Sequence, residues 1–592
     1  MPFATMEYAS DEKKEKIDYK STFKLIYSIS SEQRKDFVLA FLYLVFSTLF
    51  SLFTPILTKY AIDIAIKNND IKKLFFFMSI YLLNSLLFLA FNYLSAVKLI
   101  NTGQGLIFKL KNKIYKHLLD LDTDFYSQNP VGKIMARVQS DTSALYELFT
   151  ETIVSIFKDI LTFFAVFFIM YHYNAQLTRI LFPIVIVIML MVRIFIKKSS
   201  SIFVYLRKVI SEISGFLSER LNFISTIQSF NREKQQEQAL YDLNIKKLKT
   251  ALKGELFTIF FFMTIIILSP ISNALIFGYG GVKVLNNTLS IGVLIMFLLY
   301  IEKLFEPIFM FSEHISIIQK SFSAGHRLNN LLSMKPKIIN YDNPLFLDSF
   351  NKEIRFENVH MSYEEKENWI LKNISFKVEK GKSIAIVGKT GSGKTTITNL
   401  LLRFNDYQKG HIYIDDIELK KINIKSLRKL IGLIQQDIYL FPGTILDNLK
   451  LMDKDIDNSR IDYAIKSLQL EYFYKKHSLN KKITEKGNNI SQGEKQIIAL
   501  TRSMVLDQEI LAMDEATSNI DPYTERMLTK AVKNIMKHKT LIIIAHRLST
   551  IQSVDKIIFL NNGEIAEIGS HEELMSKKGF YYRYYSLQMG LL

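Results

Sequence analysis

Six apolar runs, each about the 20 residues a helix needs to cross a bilayer, fill the first half of this chain. They lie near Phe37–Thr58, Leu74–Val97, Ile153–Tyr171, Arg179–Ile196, Leu256–Phe277 and Ile291–Phe311. One such run alone would pass for a buried core helix; six in order predict a bundle of membrane spans, with Tyr and Lys at their flanks suited to the interfaces. The links after the first, third and fifth runs are short (Lys59–Lys73, His172–Thr178, Gly278–Ser290), whereas Lys98–Thr152 and Lys197–Glu255 each exceed 50 residues. Both long links read as helical and amphipathic and carry many basic residues, among them Lys109, Lys111, Lys113 and Lys116 in one and Arg207, Lys208, Arg220, Lys246, Lys247 and Lys249 in the other. Positive charge concentrates on cytoplasmic segments, so the long links and both termini are expected inside the cell. Such extensions resemble levers, tipped by Asp124-Phe125-Tyr126 through Pro130 and Gly132, and by Glu219–Glu233 with Phe230; ordinary helical hairpins would read the same way.

The chain cannot be membrane throughout, because 22% of its residues are charged although 49% are hydrophobic. Its net charge of +18 comes without a clustered nucleic-acid-reading module, so anionic membrane lipids, not nucleic acid, are the expected partners of the basic loops. With no cysteine, disulfides, cysteine-ligated zinc or iron–sulfur sites and a cysteine protease domain are excluded. Residues 1–35 are polar, lack the apolar stretch of a signal peptide, and are read as a cytoplasmic N-terminal segment. Residues 36–315 form the expected transmembrane domain and 316–350 a linker, helical at first and irregular from Met334. Over 351–592 short β-rich runs (Ile354–Phe356, Ser383–Val387, Ile431–Ile434) alternate with helical patterns. The expected fold is thus a multidomain membrane protein: a six-helix all-α transmembrane domain with long cytoplasmic helical extensions, then an α/β domain.

Within that second domain, Gly388-Lys389-Thr390-Gly391-Ser392-Gly393-Lys394-Thr395 follows an apolar strand and opens a helix at Thr396. This is a P-loop in the context the motif requires. Its glycines let backbone N–H groups converge on phosphate oxygens at a helix N-terminus; Lys394 is expected on the β- and γ-phosphates and Thr395 on Mg²⁺. Ile510–Glu515 is an apolar run ending in two carboxylates. An acidic pair there often only caps the next helix. Beside a P-loop it reads instead as Asp514 for the Mg²⁺ site and Glu515 to polarise the attacking water, making ATP the expected substrate.

From these motifs onward the chain resembles the ATP-binding cassette superfamily. The resemblance implies further roles, residue by residue. Tyr363 matches the aromatic residue stacking on adenine, and Gln436 the glutamine that joins Mg²⁺ and nucleotide to the membrane domain. Ile490-Ser491-Gln492-Gly493-Glu494 matches the signature, whose Ser491 and Gly493 would bind the opposite subunit's ATP. Ser518 to Asp521 matches the loop at the dimer interface, His546 the switch histidine on the γ-phosphate, and Glu485 the loop meeting the lever tips. Six spans before one cassette is the arrangement of an exporter half-transporter. The chain is most similar to multidrug-resistance-like half-exporters of bacterial cytoplasmic (inner) membranes, particularly the second subunit of heterodimeric pairs. That implies a second half-transporter as partner and an amphipathic drug or lipid as cargo; a homodimeric lipid flippase and an ATP-gated channel are the alternatives.

The signature departs from the family's Leu-Ser-Gly-Gly-Gln at Gln492 and Glu494, whereas Lys394, Asp514, Glu515 and His546 match it. Sound hydrolytic motifs with a poor signature are expected of one half of an asymmetric heterodimer; drift in a homodimer would read alike. In the sixth run Glu302, Lys303 and Glu306 interrupt the apolar sequence. Intramembrane charges point to function, here cavity lining or a mutually paired face, and the same two readings cover Lys158, Asp159 and Arg193.

Overall fold

The computed structural model describes residues 33–363, 368–453, 455–515, 520–545 and 551–589. It divides into two units, one reaching from the N-terminal side to Asp120 and resuming over Tyr126–Met334, the other comprising Leu121–Phe125 and Lys335 onward.

The first unit is helical. Among the described residues, five helices are long and apolar enough to cross a membrane: α1 (Arg34–Ile66), α2 (Ile71–Asp120), α3 (Val131–Tyr173), α4 (Ala175–Asn222) and α5 (Glu233–Leu285). The sixth, α6 (Ile291–Ser333), has the length, and its apolar run is broken by Glu302, Lys303 and Glu306. Because α6 runs to Ser333, the first part of the 316–350 linker is the end of this helix, and the irregular part begins at Met334. Both long links are indeed helical: α2 continues unbroken past Val97 to Asp120, and α4 and α5 meet through the short helix Ile224–Ser229. Helices suit a bilayer because they satisfy their own backbone groups. Pro55, Pro183, Pro270 and Pro307 sit inside four of them, and π-helical turns at Ala61–Ile66, Arg137–Asp141 and Leu148–Thr152 widen α1 and α3 locally.

Side chains of the unit's core come from α1 and α3 to α6, with Val166, Phe195, Phe261, Ile265, Phe297 and Tyr300 all buried. Phe195 stacks on Phe261 with centroids 4.1 Å apart. Polar side chains tie helices together where hydrocarbon gives no hydrophobic drive: Tyr300 Oη donates to Leu52 O (2.6 Å), Asn84 Nδ2 to Phe50 O (3.0 Å) and Ser95 Oγ to Ala40 O (3.0 Å). In the last, π-helical turn of α1, Asp63 accepts from Ser290 Oγ (2.7 Å) and Gly292 N (2.9 Å), holding the first turn of α6. Elsewhere large apolar residues such as Phe75, Leu82, Phe168 and Phe260 stand exposed, as a lipid-facing surface requires.

The second unit is α/β. Strands β1 (Glu353–Met361), β2 (Leu371–Glu379), β4 (Lys409–Ile414) and β5 (Ile417–Glu418) make an antiparallel sheet ordered β2-β1-β4-β5. Strands β3 (Ser383–Gly388), β6 (Ile431–Ile434), β9 (Ile510–Glu515), β10 (Thr540–Ala545), β11 (Lys556–Asn561) and β12 (Glu564–Gly569) make the central sheet, ordered β12-β11-β3-β10-β9-β6. All its pairings are parallel except β11 with β12. The small pair β7 (Gly443–Thr444) and β8 (Lys482–Ile483) stands apart. Inner strands of a parallel sheet are covered on both faces and read as unbroken apolar runs. Accordingly Ala385, Val387, Leu511 and Ile543 belong to one hydrophobic core, and their neighbours Ile384, Ile386, Ile510 and Ile542 to the other.

Candidate functional site

Ligands of open parallel sheets bind outside the carboxyl ends of the strands, and two of the expected motifs converge there. The P-loop leaves β3 and runs into helix α7 (Lys394–Leu401). β10, beside β3, ends at Ala545, and β9, next in the sheet, ends at Asp514 and Glu515. Gly393 enters α7 with φ +97°, a left-handed conformation, and a Cβ there would lie 2.5 Å from Leu371 Cδ2. Only glycine fits both conditions.

Lys394 is buried, and its Nζ donates to the carbonyls of Gly388 (2.8 Å) and Lys389 (3.0 Å), which folds the ammonium into the loop's concavity. Burial holds its pKa below the usual lysine range, against the opposing pull of Asp514, so an anionic ligand at that point is strongly favoured. Ser392 Oγ is buried with no protein hydrogen-bond partner, as fits a loop shaped to donate to a ligand. Thr395 Oγ1 stands 3.3 Å from Asp514 Oδ2. A hydroxyl and a carboxylate this close supply the hard oxygen donors that Mg²⁺ prefers. The Tyr363 ring is half exposed, with its hydroxyl 3.3 Å from Thr396 Oγ1, so the P-loop helix holds the ring on its own side. Gln436 is exposed just beyond β6, whose Ile434 pairs with Met513 of β9, next to Asp514. Glu515 contributes backbone to β9, paired with Ala545. Its side chain, Ser518 and His546 lie outside the described residues.

The signature opens helix α8 (Gln492–Val505), with Ser491 as N-cap. Ser491 Oγ accepts from Glu494 N (3.3 Å) and Glu494 Oε2 accepts from Ser491 N (2.9 Å), a reciprocal capping box. The other carboxylate oxygen, Oε1, lies 3.0 Å from His477 Nε2. Thus the charge that distinguishes Glu494 is occupied by its own helix end and a histidine. Burial lowers the His477 pKa, against the pull of Glu494. Gln492 Nε2 donates to Gln436 O (3.3 Å), tying the signature to the residues after β6. Gly493 is a close-approach position: a Cβ would come within 2.5 Å of Thr524 Cγ2 in helix α9 (Pro522–Met536). Asp521 caps α9, its carboxylate accepting from Thr524 N at 3.0 Å, a bond that lowers its pKa. Glu485 is exposed in a short turn, Glu485–Gly487.

Sequence reasoning missed His477, Thr524 and Asn405. Asn405 Nδ2 donates to Asp124 Oδ1 (3.4 Å) and Lys337 Nζ lies 3.6 Å from Asp124 Oδ2, all within the second unit, to which Leu121–Phe125 belongs. No local pattern announces such distant partners. The second tip is different: Phe223 and Phe230 stand exposed.

The intramembrane charges are partly paired. Lys303 Nζ donates to Ser51 Oγ (2.7 Å), and Lys158 Nζ lies 3.7 Å from Glu306 Oε1. Glu302, Lys303 and Glu306 line a cavity of about 290 Å³ with Thr54, Thr58 and Tyr81. Arg193 is exposed, and Asp159 Oδ2 lies 3.3 Å from His314 Nε2.

Comparison with known proteins agrees with this organisation. Residues 37–308 match the ABC transporter transmembrane region, and residues 371–518 match the family described as ABC transporter. A Bacillus subtilis (strain 168) protein, "Uncharacterized ABC transporter ATP-binding protein YfiC", is 30% identical over 99% of this chain and 97% of its own length. Another from that strain, "Probable multidrug resistance ABC transporter ATP-binding/permease protein YheH", is 32% identical over 83% of this chain and 73% of its own. The fold matches that of a bacterial Atm1-family ABC exporter solved with ATP bound, with a TM-score of 0.78 at 24% identity, covering 94% of this chain and 98% of that one. The chain therefore belongs to the ABC transporters, as an exporter-type polypeptide that joins a transmembrane region to an ATP-binding domain and couples ATP hydrolysis to transport.

Proposed function

We propose that the chain is one half of a dimeric exporter that moves amphipathic, drug-like molecules across a bacterial cytoplasmic membrane by alternating access, with both termini in the cytoplasm. The observation that carries the reading is the juncture of Lys394, Thr395 and Asp514 at the carboxyl ends of β3 and β9, on a chain with five described helices long and apolar enough to cross a membrane. The kinship with a protein named for multidrug resistance supports the choice of cargo. Gly388, Lys389, Thr390, Gly391, Ser392, Gly393, Lys394, Thr395 and Thr396 hold the phosphates, and Tyr363 stacks on the base. Thr395, Asp514 and Gln436 are the residues that would hold Mg²⁺, which neutralises phosphate charge when bound. Glu515 accepts the proton of the attacking water, His546 orients the γ-phosphate, and Lys394 draws charge away from it.

Ser491 and Gly493 complete the ATP site of the opposite subunit, so two ATPs bound between cassettes draw them together. ATP favours that closed state only through contacts it makes there and not in the open one. We favour a different half-transporter over a second copy as the partner, because Gln492 and Glu494 depart from the family signature. The test is ATP-driven uptake of a fluorescent amphipath into inside-out proteoliposomes, with and without a candidate partner. Uptake that requires ATP and rises with the partner is expected. Downhill passage gated by ATP would instead make the protein a channel, and lipid movement alone would make it a flippase.

A further inference from the structure

The carboxylate of Glu494, which departs from the family signature, is met by a donor on each of its two oxygens. Ser491 N donates to Oε2 (2.9 Å), and His477 Nε2 lies 3.0 Å from Oε1. Behind the imidazole, Lys481 Nζ lies 3.2 Å from His477 Nδ1. An ammonium only donates and a carboxylate only accepts. The ring between them is therefore neutral, with its lone pair on Nδ1 towards Lys481 and its proton on Nε2 towards Glu494. The backbone holds both partners in place. His477 caps the helix Glu471–Lys476, its N–H donating to Phe473 O (2.8 Å), and its ring packs on that of Phe473 with centroids 4.9 Å apart. Lys481 N donates to Ser478 O (2.8 Å), Lys481 O accepts from Ile445 N (3.1 Å), and the next residue begins β8. The side chains of His477 and Glu494 are 14% and 20% exposed, so water and salt screen the pair only in part.

We propose that His477 is a positioning residue for ATP turnover: held in one tautomer by Lys481, it keeps the Glu494 carboxylate engaged within its own cassette and so limits the repulsion between this signature and the phosphates of the opposite subunit's ATP. A carboxylate left free at the start of α8 would oppose the anion that Ser491 and Gly493 are to receive. Lys481 supplies the countercharge, and the imidazole carries its hydrogen bond on to Glu494 without any proton having to move. The chain thus tolerates an acid in its signature because a histidine and a lysine from outside the motif hold it. This deepens the export reading, on which it rests for placing an ATP at the signature; the three-residue pairing does not depend on that reading.

The test uses the full chain purified into lipid nanodiscs, since in a dimer of identical chains every ATP site meets this signature. Nitrogen NMR of isotope-labelled histidine reads the ring directly, the His477 signals being those lost in His477→Gln. The parent is expected to carry its proton on Nε2 and none on Nδ1, and Lys481→Met to give a mixture of tautomers. Radiometric hydrolysis over a range of ATP concentrations supplies the second readout. His477→Phe is expected to raise KM for ATP about threefold, the scale of one hydrogen bond, with kcat little changed. His477→Gln, whose amide N–H and carbonyl can meet Glu494 and Lys481 in turn, is expected to restore the parent KM. In a Glu494→Gln background, His477→Phe is expected to leave KM where it was, because no charge remains to be held; a merely structural histidine would show the same loss in both backgrounds. Thermal unfolding and size-exclusion elution report whether each variant folds. A parent ring protonated on Nδ1, or a His477→Phe effect that persists in the Glu494→Gln background, would overturn the proposal. The expected tautomer with a KM indifferent to His477→Phe would overturn the role in ATP turnover, even where ATP-driven uptake of amphipaths persists and the export reading stands. The expected KM changes in a protein without ATP-driven uptake would uphold the positioning role and sink the export reading.

Discussion

Thr395 and Asp514 come together at 3.3 Å although they are 119 positions apart in the chain, and the sheet is what brings them there. The residues proposed for hydrolysis nonetheless stand in motifs that local sequence shows. Each sits in a compact motif: the P-loop spans consecutive residues, and Asp514 and Glu515 end a wholly apolar strand. Glu515→Gln is expected to preserve ATP binding and cut turnover by about a hundredfold or more, the scale for loss of an acid–base group. Steady-state hydrolysis by the purified transporter checks this, and an unchanged rate would assign the role to another group. What was not legible is pairing without local pattern. Glu494 could be read only as an added negative charge, because nothing in the sequence points to His477, which engages it at 3.0 Å. That pair carries a pH dependence with a definite sign. The folded-state pKa of His477 is lowered, chiefly by burial, so below the ordinary histidine value near 6.5 the unfolded chain takes up the proton more readily. The stability the neutral ring confers is thus full above about pH 6.5 and is lost as pH falls towards the lowered folded value. His477→Gln is expected to flatten the decline in thermal unfolding temperature between about pH 6.5 and 5.5, and a slope identical to the parent's would reject this role.

Helices were read well as spans and poorly as lengths. Hydropathy reports where a chain meets hydrocarbon, while a helix ends where its backbone hydrogen bonds end. α2 therefore passes through Val97 without a break and continues to Asp120. The same difference explains the linker: α6 reaches Ser333 because Ala324, Leu328 and Leu331 are fully buried at helical spacing and Arg327 bonds Asp141. That periodicity was in the sequence, where the stretch before Met334 reads as helical. One boundary has a plain local cause: Asn174 ends α3 and accepts from Gln176 N (3.1 Å) and Leu177 N (3.0 Å), capping α4. The basic residues of these extended helices carry an expectation about membrane orientation. Single cysteines at Asn129 and Ser229 are expected to resist an impermeant thiol reagent in intact cells, while one at Asn69, in the turn after α1, labels readily. The parent chain has no cysteine to add background. Labelling at Asn129 or Ser229 as fast as at Asn69 would reverse the orientation.

At the scale of the whole molecule, the two departures in the signature bear on partnership. In a dimer of identical chains both ATP sites would meet Gln492 and Glu494, whereas in a mixed dimer only one would. The chain alone is therefore expected to hydrolyse ATP slowly, and Gln492→Gly with Glu494→Gln to raise that rate. In a mixed dimer the same double change is expected to matter far less. ATPase rates of the purified chain before and after the change measure this, and a fast parent indifferent to the change would remove the argument for a different partner. The structure adds that Gln492 bonds Gln436 O and that Glu494 caps α8, so the double change also loosens contacts within the cassette. A last consequence concerns the transmembrane unit, where Asp63 grips Ser290 and Gly292. Any motion that parts the last turn of α1 from the first turn of α6 must release this carboxylate, with Lys59 3.8 Å away as a countercharge. Released into water, the carboxylate exchanges one set of donors for another of similar worth, so the grip resists opening mainly through geometry.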